Sequence, residues 1–220
     1  MPATTPAPQD ADWLPKREWL KRHQAFLAQR DATPVDLLFV GDSITEGWLG
    51  DGRDAWDHHF APLNPLNLGI GGDETQHVLW RLDHGEVDGL APKLVVLLIG
   101  TNNLGGSGHT PRETAAGVAA VVAGLRAKLP TSPILLLAVL PRDREPTDPL
   151  RQAVVELNHL LAPLADGIHV HYLDVGPIFL TPAGVIPYAV MPDYLHLSPA
   201  AYAAWADAIV PTIRRLMSPA

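Results

Sequence analysis

The chain has 220 residues, of which 47% are apolar, 18% charged and none cysteine, with a formal net charge of −8. That length is enough to bury a large core in one domain, and the absence of cysteine excludes a disulfide framework and a thiolate metal site. The acidic balance argues against a nucleic-acid partner, whose binding rests on Lys and Arg meeting phosphates, and against docking on an anionic membrane face.

Residues 1–11, a Pro/Ala/Thr stretch, read as a flexible lead-in to a single domain over 12–220. No basic patch followed by an apolar segment marks a signal peptide there, so the cytoplasm is the expected location unless a leader has been removed. Residues 12–30 carry Trp13, Leu14, Trp19, Leu20, Phe26 and Leu27 among basic residues, a helical pattern. Residues 35–40 read as a buried strand, and short apolar runs recur at 65–68, 94–99, 134–140 and 168–173. Runs that do not alternate suit strands covered on both faces of a parallel sheet. All are too short to cross a bilayer, so no integral membrane contact is expected.

Helices are expected over 74–82, 111–129, 149–164 and 199–217. Thr110-Pro111-Arg112-Glu113 is a capping box with proline in the first helical position. Asp148-Pro149 and Ser198-Pro199 each place a capping side chain before a proline. Alternating strands and helices indicate a doubly wound α/β domain, in which ligands bind beyond the carboxyl ends of the strands. Three of those ends read Gly41-Asp42-Ser43, Asn67-Leu68-Gly69-Ile70-Gly71-Gly72 and Gly100-Thr101-Asn102-Asn103.

Ser43 follows a strand and opens a helical turn, where free N–H groups and the helix dipole favour negative charge. A plain helix cap fits the same position. His196 adds a base for a serine nucleophile, and Asp193, three residues earlier, an acceptor to hold its tautomer. An oxyanion hole needs donors aimed at the charge that forms on the substrate oxygen. The backbone N–H of Gly69 and of Ser43 and the side-chain amide of Asn102 are the candidates, with a tight turn and an Asx-turn as the structural alternatives for Gly69 and Asn102.

This set resembles the SGNH, or GDSL, hydrolases, with Ser43, Gly69, Asn102 and His196 matching the four residues of that name. Ile44 stands where the family's shorthand has leucine. The stretches NLGIGGDETQHVLWRL (67–82), GTNN (100–103) and DYLHLS (193–198) resemble in particular the catalytic subunits of intracellular platelet-activating factor acetylhydrolase. The resemblance implies a three-layer, flavodoxin-like α/β fold with a five-stranded parallel sheet. It also implies a serine ester hydrolase without metal or cofactor, acting on a small-molecule ester with a short acyl group.

In that branch the positions of Ile44, Thr101 and Leu195 crowd the acyl site, and the subunits dimerise, which makes a homodimer an expectation. Other relatives act on lysophospholipids or acetylated sugars, so a lysophospholipase and a carbohydrate O-acetylesterase stay open as alternatives. A dimeric binding or assembly protein without turnover is the rival of another class, and a flavodoxin-like nucleotide binder the third. The glycines at 69–72 lack the spacing of a dinucleotide or P-loop site. His169 and His171 share a strand face, and His58-His59 adds two more, but no carboxylates stand in ligand spacing, so edge or surface histidines are expected. Asp42 and Asp73 read as braces for the turns around Ser43 and Gly69, and Trp48 as a residue near enough to Ser43 to line a pocket.

Overall fold

The computed structural model describes residues 1–32 and 34–218; Thr33, Pro219 and Ala220, which fall at the lead-in to the first strand and at the end of the expected domain, lie outside them. Five strands, β1 (Leu37–Gly41), β2 (Pro65–Gly69), β3 (Leu94–Leu98), β4 (Ile134–Leu137) and β5 (Val170–Leu173), form one parallel sheet in the order β2-β1-β3-β4-β5. This is the α/β architecture expected, with helices on both faces. Successive side chains of a strand point to opposite faces, so the sheet feeds two cores. Leu38, Val40, Val95 and Leu97 meet helices α4 (Thr75–Asp83), α6 (Pro111–Lys128) and α7 (Pro149–Leu161). Leu37, Phe39, Val96 and Leu98 meet α3 (Arg53–His59) and α8 (Pro199–Met217). Two short helices, α2 (Ser43–Glu46) and α5 (Thr101–Gly105), start at the carboxyl ends of β1 and β3.

Where boundaries move from their expected places, local chemistry accounts for it. The first helix, α1, spans Lys16–Ala32 and not 12–30, because Pro15 has no N–H and disfavours helical backbone at Leu14. The helix expected to 164 leaves α geometry at Leu161 and finishes in a 3₁₀ turn over Ala162–Leu164, with Pro163 just past the end. Residues 138–140 stay buried but leave the ladder after Leu137.

Residues 1–11 differ most from expectation. They form a strap across the surface, with Ala3, Ala7 and Gln9 buried. The Ala3 carbonyl accepts from Thr75 Oγ1 at 2.8 Å, the Ala7 N–H donates to the Gln76 carbonyl at 3.1 Å, and the Met1 carbonyl lies 2.8 Å from His109 Nε2. Small side chains let the backbone settle into the groove beside Gly117 of α6, where a Cβ would stand 2.9 Å from the Ala3 carbonyl. Composition had read as freedom what is a close backbone contact.

One buried ion cluster ties α1, α4 and the loop after β2 together. Arg81, wholly buried, sits 2.9 Å from Asp73, pairs with Glu86 and donates to the Leu68 carbonyl at 2.8 Å. Trp19 Nε1 of α1 donates to the same Asp73 at 2.7 Å. Removing the guanidinium leaves two carboxylates buried beside each other, the costly kind of substitution. Arg81→Met should therefore lose about 3–5 kcal/mol in urea unfolding. A loss under about 1 kcal/mol would mean that the cluster is not an energetic support.

Candidate active site

The register of the sheet sets the site. Gly41 pairs with Gly69 on one side and Leu98 on the other, so the loops leaving β1, β2 and β3 begin at one level. Ser43 opens α2 directly after β1. Asp42 caps that helix, its Oδ1 accepting the Ile44 N–H at 3.0 Å. Ser43 Oγ lies 2.9 Å from His196 Nε2, and His196 Nδ1 lies 2.6 Å from Asp193 Oδ2. An ionised carboxylate only accepts, so Nδ1 carries the proton and Nε2 presents its lone pair to the Ser43 hydroxyl. Asp193, His196 and Ser43, singled out separately in the sequence, form one relay.

Burial disfavours the Asp193 charge, but the His196 ring and the N–H groups of His196 and Leu195, at 2.7 and 3.0 Å, hold its carboxyl below the ordinary range. The turn that makes this chelate carries Tyr194 at φ 59°, a left-handed conformation costly for a bulky side chain. It is held from outside: the Asp143 N–H donates to the Tyr194 carbonyl at 2.8 Å. Arg151 in turn fixes that segment by donating to the carbonyls of Arg142, Asp143 and Gly184. Arg151 did not stand out in the sequence, because its partners are backbone carbonyls that no motif records.

Asn102, in the first turn of α5, donates from Nδ2 to the Asp73 carbonyl at 3.0 Å. An amide has two hydrogens; one fixes the side chain, and the other has no partner among the described residues. The Ser43 N–H has none there either.

Gly69 does not fill its expected place. Its N–H donates to Asn67 Oδ1 at 2.8 Å, and a Cβ on it would stand 2.3 Å from the Glu46 nitrogen. It is a packing glycine that lets β2 lie against α2. The Gly71 N–H is also taken, by Glu46 Oε2 at 2.7 Å. Gly72, at φ 75°, is the glycine of this loop whose N–H has no partner among the described residues.

Of the three positions expected around an acyl group, Ile44 and Thr101 are buried, each 2% exposed, and Leu195 is partly buried. Tyr202 donates to the Ile44 carbonyl at 2.7 Å, and Arg142 to the Thr101 carbonyl and hydroxyl at 3.0 and 3.2 Å, which locks both in place. Trp48 does not stand at the surface beside Ser43. It lies wholly buried in an aromatic cluster with Phe60, Tyr202 and Trp205. Among the described residues no group of three or more His, Cys, Asp or Glu is arranged to hold a metal ion, and no helix is long and apolar enough to span a membrane.

Asp42 is 1% exposed, and only one of its carboxylate oxygens has a hydrogen-bond partner. Burial pushes its carboxyl up from 3.8 to about 7, against the pull of the Ile44 N–H and of His196. Folding therefore takes up a proton at this group between the two values. Its stability contribution is full below about pH 4 and is lost as pH rises through about 7. Replacing the carboxyl by an amide removes that titration. Asp42→Asn should flatten the fall in Tm between pH 4 and 7 relative to the parent; equal slopes would show that Asp42 is ionised in the fold throughout that range.

Residues 39–204 match the GDSL-like Lipase/Acylhydrolase family. The human platelet-activating factor acetylhydrolase IB subunit alpha1 is 37% identical over 218 residues, covering 99% of this chain and 91% of that one. The chicken alpha2 subunit is 40% identical over 203 residues, covering 92% and 86%. Among solved structures, a Streptococcus pneumonia protein named for platelet activating factor matches with a TM-score of 0.77 at 25% identity, over 92% of this chain and 95% of that one. The acetylxylan esterase Axe2 of Geobacillus stearothermophilus shares the fold, with a TM-score of 0.64 at 19% identity over 84% and 94%. By the extent of the family match and of these relatives, the chain belongs to the GDSL-like lipase/acylhydrolases and is a carboxylic ester hydrolase.

Proposed function

We propose that this hydrolase cleaves short-acyl, acetyl-type esters by two-step acyl transfer through Ser43. The observation that carries the reading is the unbroken hydrogen-bond relay from Asp193 through His196 to Ser43 Oγ. His196 Nε2 takes the serine proton as Oγ attacks the ester carbonyl, and Asp193 stabilises the imidazolium that forms. The carbonyl electrons move onto oxygen, where the N–H groups of Ser43 and Gly72 and the free hydrogen of Asn102 receive them, with Gly72 in place of Gly69. As the carbonyl re-forms, the alkoxide leaves with the proton from His196. Water then enters and gives one proton to the same nitrogen as its oxygen bonds to the acyl carbon; the bond to Ser43 Oγ breaks, Oγ takes the proton back from His196, and the acid leaves.

Asn102 meets a full negative charge only in the transition state, so its loss should fall on kcat. Asn102→Ala should lower kcat by about 10²–10³ with a much smaller change in KM. A structural asparagine would instead reduce stability and leave kcat of the folded fraction unchanged.

The acyl preference rests on Ile44, Thr101 and Leu195. The first two are fixed by burial and hydrogen bonds, so an added methylene must displace packed atoms or turn toward solvent. Overpacking of this kind costs about 1–3 kcal/mol, a ten- to hundredfold loss in kcat/KM. Across p-nitrophenyl esters of two to eight carbons the parent should favour acetyl and propionyl, and Leu195→Ala should shift the balance toward butyryl and hexanoyl. A parent that prefers octanoyl would replace this reading with a lipase or lysophospholipase.

A further inference from the structure

Next to the proposed oxyanion donors lies a cavity of about 440 Å³, within the roughly 300–1,000 Å³ range of small-molecule sites. Gly72 and Asn102 line it on the side of the reaction centre. Gln9 and Asp10 of the N-terminal strap, with Trp13 just beyond it, form part of its wall, together with Glu74, His77 and Ser107. A single point joins it to the nucleophile: a Cβ on Gly71 would lie 3.7 Å from Ser43 Cβ and 3.8 Å from Trp13 Cη2. The indole of Trp13 thus borders the place where the ester carbonyl must sit.

Trp13 is 65% exposed, while its neighbour Leu14 and the nearby Trp19 are buried. Its benzo edge packs on Gly72, where a Cβ would stand 2.4 Å from Trp13 Cζ2, and the rest of the ring offers a flat apolar face at the rim of the cleft. The polar groups around it are of both kinds. His77 Nδ1 accepts the Glu74 N–H at 3.0 Å, so its Nε2 carries hydrogen and is the nitrogen left for a ligand; burial pushes this ring down to about 4, which keeps it neutral. Asp10 and Glu74 bring two carboxylates, against the amino terminus at Met1, and no Lys or Arg is among the lining residues, so a phosphate or carboxylate would meet a lining of net negative charge without a guanidinium or side-chain ammonium to grip it. The strap is held by the hydrogen bonds from Thr75 and His109 and to Gln76 and by burial of Gln9, so the wall exists before a ligand arrives.

We propose that this cavity, with Trp13 as a stacking platform, is the subsite for the alcohol half of the ester, and that the alcohol is an uncharged sugar ring of an acetylated glycan. The inference rests on the reading of Ser43 as the nucleophile. If Ile44 and Thr101 wall the acyl side, as the proposed function has it, the larger part of the substrate has this opening to fill. A sugar ring offers one face of C–H groups to the indole and a rim of hydroxyls to side chains that both donate and accept.

The test uses the whole chain and three acetyl esters: p-nitrophenyl acetate, mono-O-acetylated cellobiose and acetyl-glycerophosphocholine. The parent should show at least tenfold higher kcat/KM for the cellobiose ester than for the glycerophosphocholine ester. Trp13→Ala should lower the ratio of the cellobiose ester to p-nitrophenyl acetate at least tenfold, mainly through KM, and Trp13→Phe should restore most of it. Unacetylated cellobiose should bind the Ser43→Ala variant by calorimetry and lose at least tenfold in affinity when Trp13→Ala is added. Preference for the glycerophosphocholine ester, an unchanged ratio in Trp13→Ala, or cellobiose binding indifferent to Trp13 would each overturn the subsite. Absence of any ester turnover, with cellobiose binding kept and dependent on Trp13, would instead overturn the esterase reading and leave the sugar site standing.

Discussion

The pairing of Gly41 with both Gly69 and Leu98 is the constraint on which the rest of the molecule depends. It brings three strand ends to one height, so that a serine, a glycine loop and an asparagine from distant parts of the chain share one rim. Neither pairing tolerates bulk at this level. A Cβ on Gly41 would stand 2.4 Å from the Leu98 carbonyl, and one on Gly69 would press into the backbone of α2. The two apolar faces of the sheet hold the register, because a slip of one residue would exchange the cores that Leu38 and Phe39 feed.

Around that rim acidic side chains, Asp42 and Asp73 buried and Glu46 partly exposed, hold the backbone in place. Asp42 caps the helix that carries Ser43, and Asp73, held by Trp19 and Arg81, lends its carbonyl to Asn102. Glu46 takes the Gly71 N–H and pairs with Arg22 of α1. With the N–H groups of Gly69 and Gly71 both occupied, Gly72 is left facing its own demand. A buried ion pair such as Arg81–Asp73 adds little net stability compared with a well-packed apolar core. What they do here is fix positions, and the left-handed Tyr194 braced by Asp143 does the same on the far side of the cleft.

Much of this was legible in the sequence. Unalternating runs of Val, Leu and Ile named the parallel strands, and proline after a capping side chain marked the starts of α6 and α8. Asp148-Pro149 marked the start of α7, although the Asp148 side chain accepts the Glu145 N–H and does not cap the helix. Ser43, Asp193 and His196 stood out by chemistry and order. What stayed hidden was decided by side chains far away in the sequence. Gly69, Gly71 and Gly72 look alike as letters; Asn67 and Glu46 decide which N–H remains free. The lead-in of prolines and alanines has the composition of a loose tail, but small side chains also suit a backbone laid against Thr75, Gln76 and Gly117. Trp48 lies near Ser43 in sequence, yet its ring turns into the cluster with Tyr202 and Trp205. The short helix α3 was too brief for its period to show.

If Ser43 is the nucleophile, an acyl group must reside on it between the two halves of the reaction. The direct measurement is to mix the protein with p-nitrophenyl acetate, quench in acid during the first turnover, and locate the acetyl group by mass spectrometry of the digested chain. The account predicts one acetyl group, on the peptide holding Ser43, appearing with the release of p-nitrophenol and absent from Ser43→Ala. Sustained turnover in Ser43→Ala, or acetyl carried through turnover by another residue with Ser43 unmodified, would contradict it.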